Sequence, residues 1–299
     1  MKIKYKKITA TILLMFLFCS ALIGCIKTPK MGAKIDLSGM ELVFEDEFNT
    51  GKLDTAKWTT EKYNNNKTPH IRRGGYWDSQ QVSFDSDNLL ITTEFLPNGK
   101  YGAGWYTGMI NTNNINEFKY GYFEIRCKAP KAEGLWSAFW LQADKIGEIT
   151  GDGKNGTEID ILETPYFNDK KSGLRLKNTV FHTLHTDGYA DNHKSTTSGF
   201  YKVENDIYDE FNTYGVRWTK DGYVFYINGL ESWSTSWLGN SQVEQFIILS
   251  VEIAGQNANP ANPNNKFCWS GEIENNSGKF RTSQFVVDYV KVYQDKING

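Results

Sequence analysis

Along most of this chain apolar and polar residues alternate with a period of two, in short runs separated by Gly, Asn, Asp and Pro. The runs are rich in Val, Ile, Phe, Tyr, Trp and Thr, which predicts strands over 41–44, 81–85, 89–94, 104–111, 120–128, 135–142, 157–163, 178–185, 212–219, 223–227, 246–252 and 285–293. Asp221-Gly222 and Asn228-Gly229 supply turn chemistry between successive runs. No stretch of twelve or more residues carries an apolar repeat at helical spacing, so the pattern predicts an all-β sandwich of antiparallel sheets.

One run is unlike the others. In Thr157-Glu158-Ile159-Asp160-Ile161-Leu162-Glu163-Thr164, Glu158 and Asp160 share one strand face while Ile159 and Ile161 share the opposite one. Glu163 lies at an odd offset from Glu158 and in a regular strand would turn into the apolar side. A single bulged residue at Ile161-Leu162 restores its parity, because a bulge sets two residues against one and re-aims everything after it. The Cα atoms of Glu158 and Glu163 are then roughly 13 Å apart. Side chains leaning together bring the two carboxyl groups to the roughly 5 to 5.5 Å used when one carboxylate attacks a glycosidic carbon and the other protonates the leaving oxygen. Asp160 falls between them.

Residues 158–163 fit the bulged pattern E-[ILV]-D-x-x-E, and the flanks fit as well. Gly121-Tyr122-Phe123-Glu124-Ile125-Arg126-Cys127-Lys128-Ala129-Pro130 precedes Gly134-Leu135-Trp136-Ser137-Ala138-Phe139-Trp140-Leu141, and Phe285-Val286-Val287-Asp288-Tyr289-Val290-Lys291-Val292-Tyr293 closes the chain. Together these segments resemble glycoside hydrolase family 16 from about Leu42 to Tyr293, with Ser137 departing from a common Pro. The resemblance implies a concanavalin A-like β-jelly roll with a concave sugar cleft. It also implies retaining endo-hydrolysis, with Glu158 as nucleophile, Asp160 as its hydrogen-bonding partner and Glu163 as acid/base. The implied substrate is β-1,3-glucan or mixed-linkage β-1,3-1,4-glucan. An agarase- or porphyranase-type endo-β-galactanase is the alternative, kept open by Arg72 and Arg73 as sulfate partners, and a lectin-like sandwich without catalysis is a further one.

Candidate contacts to a sugar chain follow from faces and from the resemblance. Trp136, Ala138, Trp140 and Gln142 share one face of their strand, and two indoles with a small residue between them suit a sugar platform, although core packing serves equally well for Trp140. His182 and His185 lie on opposite faces of one strand, which excludes a single metal between them. The resemblance places His185 beside the substrate and leaves His182 as a packed or edge residue. It also places the loop residues Tyr63, Asn64, Arg72 and Trp77 along the cleft, and it implies a structural calcium at Glu47, Asp87 and Asp288. The chemistry itself needs no cofactor.

Composition changes the picture at the ends. Met1 to Lys7 hold four lysines and 8–23 form an apolar run too short to cross a bilayer comfortably, as in a signal peptide. Leu22-Ile23-Gly24-Cys25 looks like a lipobox, so residues 1–24 are expected to be a lipoprotein leader, Cys25 the lipidated N-terminus of a tether over 25–40, and 41–295 the catalytic domain. This predicts an extracytoplasmic protein held at a bacterial membrane or cell surface. The 33 Lys+Arg and 35 Asp+Glu give −2 over the whole chain, and loss of four lysines with the leader takes this to −6. That mild acidity supports solubility and argues against a nucleic-acid partner, and a monomer whose partner is the polysaccharide is the default expectation. Cys127 and Cys268 remain in the domain, with their pairing open, and no CxxC indicates zinc.

Overall fold

A computed structural model describes residues 32–61, 71–165, 176–253, 260–261, 272–273 and 282–296. Its strands begin with β1 (Met40–Asp46), β2 (Ile71–Arg72), β3 (Gly75–Trp77), β4 (Val82–Phe84), β5 (Leu89–Leu96), β6 (Gly104–Thr107) and β7 (Met109–Asn111). They continue with β8 (Glu117–Phe118), β9 (Gly121–Lys128), β10 (Leu135–Gln142), β11 (Glu158–Thr164), β12 (Thr179–Thr186) and β13 (Lys194–Thr197). The last are β14 (Tyr201–Lys202), β15 (Asn212–Thr219), β16 (Gly222–Ile227), β17 (Leu230–Thr235), β18 (Gln245–Ile253) and β19 (Thr282–Asp295). A 3-10 turn at Ser79–Gln81 is the helical segment among the described residues.

The strands form two layers, as the alternation predicts. An eleven-stranded sheet runs β17-β16-β15-β9-β19-β5-β6-β3-β2, with β1 on β19 and β4 on β5. An eight-stranded sheet runs β13-β12-β11-β10-β18-β7, with β14 on β12 and β8 on β18. Every ladder is antiparallel except that of β3 with β6. The main core lies between the layers. Phe123, Ile125, Cys127, Val216, Trp218, Phe285 and Val287 come from the larger sheet, and Phe139, Leu141, Ile159, Leu184, Leu249 and Val251 from the smaller. Each inward-facing Leu, Ile or Phe removed from water contributes about 1.5 to 3 kcal/mol, so the alternation that selects these residues also holds the layers together.

The segment read as one strand over 104–111 is two, joined at Gly108. β6 pairs with β5 in the larger sheet, and β7 pairs with β18 in the smaller. A Cβ at Gly108 would lie 3.0 Å from Val82 Cγ2 and 3.1 Å from Ile91 Cγ2, so a bare α-carbon lets the chain turn this corner without pressing on β4 and β5. Alternation continues through 104–111, which is why the pattern alone does not show the change of layer. Residues 71–77, read as a loop, form the β2–β3 hairpin instead. At the opposite edge of the larger sheet, Lys34 bridges to Leu230 and Gly32 N donates to Glu231 O, tying the start of the described chain to β17. Cys127 is fully buried, which pushes its thiol pKa well up; Cys268 lies outside the described residues.

Candidate active site

β11 carries the expected irregularity. Leu162 faces Phe139 and Asp160 faces Trp140, so two neighbours on β10 span three residues of β11 and Ile161 is the extra one. The other side of the strand agrees, since Asp160 pairs with Thr183 and Glu163 with Phe181. Ile159, Ile161 and Leu162 all enter the core, while Glu158, Asp160 and Glu163 share the outer face of the eight-stranded sheet. A bulge leaves a backbone group without its ladder partner, and here His182 supplies one: its Nδ1 donates to Ile161 O at 2.7 Å. Nε2 of the same ring accepts from Ser232 Oγ at 2.9 Å, and the ring stacks on Phe225. His182 is therefore packed, as expected, but it also fixes the kink. Burial pushes its pKa down to about 4, so the imidazole is neutral.

Each acid has its own setting. Glu158 accepts from Gln142 Nε2 at 3.1 Å and from the Tyr189 hydroxyl, both on Oε2. Asp160 and Glu163 are 5% and 4% exposed. Burial, then repulsion from Glu158 and Glu252, raises the Asp160 pKa well above the usual carboxylate range. Burial, then the charge of Asp160, does the same to Glu163, outweighing the opposing effects of His185 and of Thr183, whose hydroxyl donates to Glu163 Oε2 at 2.8 Å. The face thus holds a carboxylate fixed by two donors and, on the same strand, a carboxyl group that keeps its proton toward neutral pH.

His185 faces Glu158 across the ladder, and its Nε2 lies 3.3 Å from Asp160 Oδ2 and 3.8 Å from Glu158 Oε1. It is part of the acid cluster rather than only a wall of the cleft. Its Nδ1 lies 2.8 Å from Nε2 of His193, which stacks on it with ring centroids 5.0 Å apart. Tyr189 and His193 follow β12 in a loop held down by Asp187, which accepts from the backbone of Thr150 and Gly151.

The tryptophans are less open than a platform requires. Trp77 and Trp140 are buried with Met109, Ala138, Phe246 and Ile248 in a second cluster on the outer side of the smaller sheet. The Trp77 indole donates to Val251 O at 2.8 Å and that of Trp140 to Ser250 Oγ at 3.1 Å. Both are packed into this cluster with little ring surface left open to a sugar chain. Trp136 is half-buried, with the Arg73 guanidinium 4.4 Å above its ring, and Arg72 lies 5.3 Å from the ring of Trp77. Neighbouring strand residues point to opposite faces, yet Arg72 and Arg73 both reach the carboxylate of Glu252. Arg73 has φ +52, and this left-handed turn swings its side chain to the same side as that of Arg72. Burial works against ionisation of Glu252, but the two guanidiniums outweigh it and hold the carboxyl below its ordinary pKa.

Tyr63 and Asn64 lie outside the described residues, as does Cys25. The residues expected to hold calcium do not converge. Asp288 is ion-paired with Arg126, Glu47 lies near Lys291 and Asn49, and Asp87 accepts from Ser86. Among the described residues, the group of three whose ligand atoms lie within 4.8 Å of one another is Glu158, Asp160 and His185. Gln142, Thr183, Tyr189, His193 and Glu252 are the site residues that sequence reasoning did not assign. Parity on β10, β12 and β18 carried a signal for Gln142, Thr183 and Glu252; nothing in the pattern marks Tyr189 or His193. Ser137, the departure from the common Pro, is buried on the core side, where its hydroxyl meets that of Thr164 across the ladder.

Known proteins agree with this architecture. The chain is 24% identical over 286 residues to Glucan endo-1,3-beta-glucosidase A1 of Niallia circulans, covering 87% of this chain and 39% of that protein. It is 30% identical over 225 residues to Beta-porphyranase C of Zobellia galactanivorans, covering 62% of this chain and 60% of that one. It thus spans less than two thirds of either relative. The crystal structure of SCLam, a non-specific endo-beta-1,3(4)-glucanase from family GH16, superposes with a TM-score of 0.66 at 25% identity over 91% of this chain and 97% of that one. A family model described as Beta-porphyranase A-D, GH16 domain, matches residues 42–295, and the chain therefore belongs to glycoside hydrolase family 16.

Proposed function

We propose that this protein is a retaining endo-glycosidase that hydrolyses internal β-linkages of β-1,3-glucan or mixed-linkage β-1,3-1,4-glucan by double displacement. The observation that carries this reading is the bulge at Ile161, which puts Glu163, buried and inclined to hold its proton, on the face of Glu158. Glu158, steadied by Gln142 and Tyr189, attacks the anomeric carbon as Glu163 protonates the departing oxygen. Glu163, now a carboxylate, takes a proton from water, and that water releases the sugar from Glu158. Asp160 and His185 sit against the nucleophile and set its charge and orientation. A lectin has no use for a proton-holding glutamate placed this way.

The glucan substrate is supported by the names of the glucosidase A1 relative and of SCLam. The binding of Arg72 and Arg73 to Glu252 supports it too, since guanidiniums engaged in that pair have fewer donors left for a sulfate. A second reading, an endo-β-galactanase, is favoured by the description of the matching family model and by the porphyranase C relative. Product analysis after incubation with laminarin, barley β-glucan, lichenan, agarose and porphyran separates the two. Oligosaccharides from the first three support the glucanase; products only from agarose or porphyran replace it with the galactanase; no products from any polymer remove the hydrolase reading.

The lipobox supports export, with Cys25 as a lipid anchor that holds the catalytic domain at the cell surface. Labelled fatty acid is expected to follow the wild-type protein and to leave the Cys25→Ala variant.

A further inference from the structure

Glu158, Asp160 and His185 also have the spacing of ligands around one ion. Nε2 of His185 lies 3.3 Å from Asp160 Oδ2 and 3.8 Å from Glu158 Oε1, and one ligand atom from each of the three residues lies within 4.8 Å of the other two. Nitrogen and oxygen ligands at about 2.0 to 2.2 Å from a tetrahedral zinc stand roughly 3.3 to 3.6 Å apart. A second observation is independent of the spacing. Asp160 is 5% exposed, and its Oδ2, which lies 3.3 Å from Nε2 of His185, receives no hydrogen bond. A buried carboxyl oxygen left so costs free energy that a cation would recover.

The surroundings complete the set. A ligating imidazole needs its other nitrogen held, and Nδ1 of His185 lies 2.8 Å from Nε2 of His193. The His193 ring stacks on His185 with centroids 5.0 Å apart, which places Nε2 of His193 to accept the His185 N–H. The second oxygen of Glu158 is held by Gln142 and Tyr189, leaving Oε1 for the ion. Calcium, which takes six to eight oxygens, is poorly served by three protein ligands of which one is a nitrogen. We propose that Glu158, Asp160 and His185 bind a single zinc-type divalent transition ion, which occupies the nucleophile and blocks hydrolysis until it is removed.

Only the inhibitory half of this proposal rests on the hydrolase reading; the binding half stands on the ligands alone. Zinc chloride titrated calorimetrically into the purified chain is expected to show one ion per molecule. Glu158→Gln and His185→Asn are each expected to weaken it at least tenfold, and His193→Gln by about ten- to a hundredfold. Melting curves identify any variant that has not folded, and the other two then decide. Hydrolysis of the polymer that the enzyme cuts is expected to stop with zinc, to return with EDTA, and to be indifferent to equal calcium or magnesium. Absence of zinc binding, or binding that all folded variants retain unchanged, overturns the site. Zinc bound with hydrolysis unaffected overturns the block. Zinc binding without activity on any polymer upholds the site and removes the hydrolase instead.

Discussion

Among single side chains, Glu163 is held in a form that a solvated glutamate would not keep. Its pKa is raised in the fold by burial and by Asp160, so the folded state binds its proton more tightly than the unfolded state. Stability from such a group is present at low pH and is lost as pH rises through the folded pKa. Glu163→Gln is therefore expected to abolish turnover by several orders of magnitude and yet to melt higher than wild type in alkaline buffer, the difference vanishing in acid. Melting curves from pH 5 to 9 beside a hydrolysis assay check both, and equal melting at every pH would remove the buried-acid account. Tyr189 acts at the other end of the cluster through its hydroxyl on Glu158. Hydrogen bonds to a charged group contribute about 1.5 to 3 kcal/mol, so Tyr189→Phe is expected to lower kcat about ten- to a hundredfold with KM little changed. Steady-state kinetics on whichever polymer yields products measure it.

For strands, the decisive feature is one extra residue. Deleting Ile161 would remove the extra residue and leave Glu163 four positions from Glu158, an even offset that keeps both acids on the outer face of a regular β11, so the variant is expected to keep measurable hydrolysis; an inactive variant that melts like the wild type would mean that the bulge does more than set the parity. This feature was legible in the sequence because parity is a strong constraint: Glu158, Asp160 and Glu163 cannot share a face without it. The two faces of β10 were legible for the same reason. What escaped depends on contacts that parity does not encode. Gly108 changes layer without breaking the alternation, the β2–β3 hairpin brings Trp77 into one buried cluster with Trp140, and Arg73 joins Arg72 through a left-handed backbone. Tyr189 and His193 reach the site because Asp187 pins their loop. In each case chain segments distant in sequence decide the outcome.

Across the fold as a whole, the histidine behind the kink sets a pH limit. His182 is pushed down to about 4, below the value near 6.5 expected of the unfolded chain. Between these values the unfolded state holds a proton that the folded state refuses, so stability falls as pH drops from about 6.5 to 4, by up to about 3 kcal/mol. Urea unfolding at pH 7 and pH 4.5 is expected to show this loss in wild type and a smaller one in His182→Asn. Equal losses in the two proteins would show that other groups cause it.

The attachment of Gly32 and Lys34 to β17 also fixes how the enzyme would hang. That edge belongs to the layer opposite the acids, so a leash from Cys25 would suspend the molecule by its back. A long glycan could then lie across the open side and be cut in mid-chain without threading between protein and membrane.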